Sequence, residues 1–213
     1  METKQTIENI KDTFLVGLSG VFKISEILRN PWKYKVSKYS IIAAIALPIL
    51  ALVAKLDLPK LIDEIQSQMI VFLPCILGFT IAGYSLVVGF VQSNMLNKIS
   101  EPSKDSKFSL YQTMSSKFAI NVILQGIALI IAYLYHFIIY FDNNSKINIR
   151  PSGCLLCLIN VCGMAIIAFW FTISVLLVIQ IVVNIFNFSQ LHHYFVNIEK
   201  VREKESNANK DPI

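Results

Sequence analysis

Residues 151–198 read PSGCLLCLINVCGMAIIAFWFTISVLLVIQIVVNIFNFSQLHHYFVNI, without a single Lys, Arg, Asp or Glu. As one helix this run rises about 70 Å at 1.5 Å per residue, more than twice the ~30 Å hydrocarbon core of a bilayer. A soluble fold has no place for so long an uncharged stretch, whereas a membrane has one, with the excess protruding. The span is expected from Gly153 to about Val178 within a helix over 153–186, with the Asn and Gln residues that follow marking its exit. Working outward, three more apolar runs qualify, over 118–141, 69–92 and 39–56. The last is the weakest, with Pro48 inside it and Lys55 at its end, from where a lysine snorkels to the headgroups. The whole chain agrees: of 213 residues 54% are apolar and 15% charged, against about a quarter charged in soluble domains. The fold class expected is all-α integral membrane, with four transmembrane helices spread over 39–198.

The distribution of cations orients those spans, because cytoplasmic loops retain Lys and Arg. The N-terminal segment carries Lys4, Lys11, Lys23, Arg29, Lys33, Lys35 and Lys38. The 93–117 connection carries Lys98, Lys104, Lys107 and Lys117, and the tail Lys200, Arg202, Lys204 and Lys210. The two remaining connections hold only Lys55, Lys60, Lys146 and Arg150. A split of 15 to 4 places both termini and the central connection in the cytoplasm of a bacterial inner membrane. The net charge of +5 then reflects attraction to anionic lipid, and no direct nucleic-acid partner is expected.

Residues 1–38 form a cytoplasmic segment without the apolar core and small-residue site of a cleavable signal. Ile7, Ile10, Phe14, Leu18 and Val21 recur every three or four positions, with Glu8, Lys11 and Asp12 off that line. The spacing predicts an amphipathic helix, lying on the inner leaflet or bound to a partner. Pro31 ends it, and Trp32, Tyr34 and Tyr39 with neighbouring lysines read as an interfacial anchor. Residues 199–213 are a polar tail expected to fray.

Within the spans, Gly78, Ala82, Ser85 and Gly89 are spaced four, three and four, one face along which another backbone can approach closely, in this chain or another copy. Gly83 sits beside that face, and Pro74 is positioned to kink the helix. Asn121 and Gln125 lie four apart and can bond each other or across helices. Gln180, Asn184 and Asn187 form a polar stripe, either interhelical glue or, in an assembly, the rim of a vestibule. His136 falls near the outer interface, and His192 and His193 on the protruding helix read as solvated rather than metal-bound. Cys154 and Cys157 make a C-x-x-C at the outer mouth of the fourth helix, with Cys75 expected at a similar depth on the second and Cys162 nearby. Disulfide relay needs a low-pKa thiolate and a second exposed pair, yet the outer loops hold no cysteine. The four cysteines are therefore read as small buried apolar residues.

The sequence has no phosphate-binding glycine loop, zinc-protease helix or nucleophile elbow, and no paired carboxylate at membrane depth. No enzyme, cofactor or metal is expected, and ion-coupled transport is disfavoured. The stretch LGFTIAGY at 77–84, continuing through Gly89 and Phe90 to NMLNKIS at 94–100, resembles the second span and following loop of small four-helix inner-membrane proteins from bacterial antiviral loci. The membrane subunit of the Kiwa anti-phage system is the nearest type, and membrane accessory proteins of type VI-B CRISPR loci are similar in size and layout. The resemblance implies a homo-oligomer, a tetramer, that senses envelope disturbance and docks a cytosolic effector. Two other readings stand beside it: a depolarising pore, and a four-helix thiol oxidoreductase. The topology has its own test. Reporter fusions after residues 105 and 213 are expected to report cytoplasm and those after 57 and 148 periplasm; a periplasmic signal from residue 213 overturns the orientation.

Overall fold

The computed structural model describes residues 17–25, 35–89, 95, 99–101, 108–144 and 153–208. They form five helices: α1 (Gly17–Ile24), α2 (Lys35–Val53), α3 (Leu58–Gly89), α4 (Leu110–Asn144) and α5 (Gly153–Ala208). All but α1 are long and apolar enough to cross a bilayer. The protein is thus an all-α membrane protein with four candidate spans. Ile7, Ile10, Phe14, Pro31, Trp32 and Tyr34 lie outside the described residues.

Local chemistry sets the ends of these helices. At the end of α2, Leu56 N–H donates to Ala51 C=O at 2.9 Å and Lys55 N–H to Leu52 C=O at 3.1 Å. This is the Schellman pairing, which closes a helix through one left-handed residue. Here that residue is Lys55, at φ 54°. Asp57 then offers its C=O to Leu61 N–H and pairs with Lys60 at 3.2 Å, starting α3 at once. The outer connection expected over 57–68 is therefore a tight turn, and Asp63 and Glu64 ride on α3 itself. At the head of α4, Ser109 N–H donates to Gln112 Oε1 at 3.0 Å while Gln112 N–H donates to Ser109 Oγ at 3.1 Å. That reciprocal pair is a capping box, and it carries helix eight residues ahead of the apolar run expected from Phe118. The tail expected to fray from Glu199 is helical through Ala208.

Helix α5, at 56 residues, is the hub. It packs along α2, α3 and α4, while α2 touches α3 only beside their turn and α1 lies against α4. Accordingly 33% of its most apolar window is buried, against 22% in each of the other three spans. Three clusters fill the bundle. Toward the hairpin end, Ile62, Met69, Leu73, Ala128, Ala132, Met164 and Ile167 form a core closed by Trp170. Toward the opposite, terminal end, where α2 begins and α3 ends, Val87, Phe118, Ile181 and Phe188 pack with Met95 and Ile99 from the central connection. Between α1, α2, α4 and α5, Ile120, Leu124, Ile173 and Leu177 hold Val21 and Val36. The described part of the amphipathic segment thus lies against the bundle, with Gly20 buried and Leu18 62% exposed. Apolar side chains cover the outside too, Val71, Ile130, Phe137 and Ile179 among them, as a lipid solvent requires.

Two substitutions at the helix ends check this account. Lys55→Gly is expected to raise unfolding stability by about 0.5–1 kcal/mol by relieving the left-handed strain, and Ser109→Ala to lower it by about 1 kcal/mol. Both are read from thermal melts in detergent.

Candidate functional site

Small residues decide where the helices come closest. A Cβ added at Gly83 would lie 2.7 Å from Ile185 Cδ1 and 3.7 Å from Ile181 Cγ2, and one at Gly163 would lie 3.2 Å from Tyr135 Oη. These glycines sit at the α3–α5 and α4–α5 contacts. By contrast Gly78, Ala82, Ser85 and Gly89 all face outward, and a Cβ at Gly78 or Gly89 meets no atom within 4 Å. The stripe is therefore not the packing face within this chain. That face is Leu58, Ile62, Gln66, Met69, Leu73, Thr80, Gly83 and Val87, all buried. Its spacing of threes and fours was present in the sequence, but the opposite face is equally apolar and gave no contrast.

Inside the bundle lie two polar groupings. In the first, Thr80 Oγ1 stands 2.9 Å from Ile76 C=O on its own helix and 3.0 Å from Gln125 Oε1 on α4. Asn121, one turn from Gln125, is fully buried, as are Gln125 and Thr80. Neither amide atom of Asn121 has a hydrogen-bond partner among the described residues, and Gln125 Nε2 has none either. The expectation that Asn121 and Gln125 bond across helices holds for Gln125, through Thr80. Serines in the bundle solve the same problem locally: Ser40 Oγ donates to Val36 C=O and Ser174 Oγ to Trp170 C=O, a bond that an amide side chain does not copy as readily.

The second grouping, nearer the hairpin end, was not foreseen. Gln66, fully buried, donates through Nε2 to Asp63 Oδ1 at 2.9 Å and lies 3.2 Å from His136 Nδ1. Residue 66 falls in the sequence expected to be loop, so its burial is a consequence of the early start of α3. His136 is exposed on the other side.

The stripe of Gln180, Asn184 and Asn187 does not share one surface. Gln180 and Asn184 are half-buried, Gln180 Oε1 lies inside without a partner among the described residues, and Asn187 is exposed. His193 is exposed beside Asn197 Nδ2, 3.3 Å from its Nδ1, and the described residues hold no cluster of three His, Cys, Asp or Glu.

The cysteine reading needs correction in two respects. All four, Cys75, Cys154, Cys157 and Cys162, are free and exposed on the outside of the bundle. Burial failed as an expectation because in lipid an outward apolar position suits a thiol as well as an inward one. The depths also differ. Ile62 meets Gly163 and Gly83 meets Ile181 and Ile185, so α3 and α5 run parallel and Cys75 is level with Val175. Cys154 is about 30 Å farther along at 1.5 Å per residue, too far for exchange with Cys75.

No protein-family model, curated protein or solved structure matches this chain. The paired glycine test discriminates the two faces: Gly83→Leu is expected to cost about 2 kcal/mol by overpacking, whereas Gly89→Leu leaves the monomer's melting temperature unchanged. Equal effects would contradict the assignment of the packing face.

Proposed function

We propose that this chain is a non-enzymatic inner-membrane subunit of a bacterial anti-phage defence system, a homo-oligomeric sensor and anchor that recruits a cytosolic effector. The observation that carries the anchoring part is the terminal-end cluster. There α5 continues well past its apolar stretch, and Phe188, Leu191 and Phe195 pack with Met95 and Ile99 of the central connection and with Tyr111, Met114 and Phe118 of α4. A span that served only to hold the chain in lipid would need no such packed extension. Of the described cations, Lys35, Lys38, Lys117, Lys200 and Arg202 lie toward this end and Lys55 and Lys60 at the hairpin, which by the charge rule supports a cytoplasmic position for this end. The defence setting rests on the resemblance of residues 77–100 to membrane proteins of antiviral loci, and the tetramer on the same footing.

Beyond the packed cluster, Tyr194 and Val201 stand 59% and 55% exposed on α5. They are the positions at which this reading places effector contact. A pore within one chain is disfavoured, because Met69, Leu73, Ile167, Leu177 and Ile181 fill the bundle axis; a conducting path would have to form between copies.

Purification from the native host in mild detergent is expected to yield a homo-oligomer by native mass spectrometry, together with one soluble protein. Tyr194→Ala with Val201→Ala should release that protein while the membrane component remains oligomeric. Recovery of the chain alone, from infected and uninfected cells alike, overturns recruitment. Conductance in planar bilayers without any soluble partner favours the pore.

A further inference from the structure

Asn121, Gln125 and Thr80 present an imbalance that the protein alone does not resolve. All three are fully buried, and between them Asn121 Nδ2, Asn121 Oδ1 and Gln125 Nε2 lack partners among the described residues. Turning the Gln125 amide over does not remove the deficit. Thr80 Oγ1 can donate to Ile76 C=O at 2.9 Å and accept from the turned amide at 3.0 Å, but the carbonyl oxygen of Gln125 is then bare instead. One turn of α4 therefore always holds at least three unmet amide atoms.

Their chemistry selects the ligand. Hard cations such as Ca2+ and Mg2+ take oxygen ligands alone, and an anion takes hydrogen-bond donors alone. This set mixes both, and the residues carry no charge. Water both donates and accepts, and buried waters in proteins make about three hydrogen bonds to polar groups that would otherwise go unmet. We propose that the α3–α4 joint around Asn121, Gln125 and Thr80 is an internal hydration site, holding one or two water molecules that bridge Asn121 to the Thr80–Gln125 pair within the membrane-spanning bundle. Its neighbours are Phe118 toward the terminal end and Ala128 toward the hairpin end, both buried. The joint between α3 and α4 at this depth is thus held by exchangeable bonds, whereas the cluster around Met69, Met164 and Ile167 is built of apolar side chains. The inference does not depend on the proposed function.

The tests are made on the full chain in nanodiscs. If water bridges the amides, Asn121→Leu and Gln125→Leu each strand the other's partners, so each lowers the melting temperature by about 2–4 °C, and the double variant loses less than the sum. If the site is dry, Asn121→Leu removes two unmet polar atoms and breaks no bond, so it raises the melting temperature; that result overturns the proposal. Thr80→Val, close to isosteric, provides a gentler third variant with an expected loss of the same sign. X-ray hydroxyl-radical footprinting reads the water directly. Oxidation of Phe118 is expected to fall several-fold in the Asn121→Leu, Gln125→Leu variant while that of Met164 is unchanged. Equal Phe118 oxidation in both proteins overturns the site. Replacing sodium by choline should leave the wild-type melting temperature where it was, and a shift would mean an ion occupies the place assigned to water.

Discussion

Hydrocarbon supplies no hydrogen bonds, and this constraint governs the chain at every level. Over the ~30 Å of a bilayer core each backbone N–H and C=O has to be met from within the protein, which leaves long uninterrupted helices as the form for its four apolar runs. Side-chain hydroxyls obey the same rule by bonding back to their own helix, as Ser40, Thr80, Ser85 and Ser174 do. Only the longer amides escape that local solution. Gln66 reaches Asp63 and stands beside His136, while Gln125 reaches Thr80 across the α3–α4 contact.

Once helices are imposed, their arrangement turns on close approach rather than on burial of apolar area, since lipid tails and leucines are equivalent solvents for one another. Gly83 and Gly163 serve this purpose. They let α3 and α4 reach the long hub helix so closely that a methyl group at either place would press on Ile185 or Tyr135. Helix α2, lacking such a contact with α3 beyond the turn, is held by α5, and the notch it leaves beside α4 is occupied by α1 through Val21. The two ends of the bundle then differ in kind. The hairpin end closes through a tight turn at Lys55, whereas the terminal end gathers a helix extension and the central connection into an additional apolar cluster.

Composition and charge were enough to determine the class of protein, the four helices and their approximate places, because the absence of Lys, Arg, Asp and Glu over 151–198 has one physical outcome in a helix. The helix start at Ser109 with Gln112 is a matter of capping chemistry, which apolar run length does not register, so α4 begins ahead of Phe118. The inward faces were not legible. In a soluble helix the polar side marks the exterior, but Val71, Phe79, Ile81 and Leu86 of α3 face outward and are as apolar as the buried Leu73 and Val87. The cysteines, expected inside, accordingly face out, Gln66, expected in a connection, is buried on α3, and the small-residue stripe of Gly78 to Gly89, expected against a helix of this chain or of another copy, faces away from this chain's own helices. Which residues meet depends on the rotation and offset of whole helices, set by a few contacts far apart in the chain such as Gly83 with Ile185. Sequence spacing alone carries no record of that choice when lipid accepts either face.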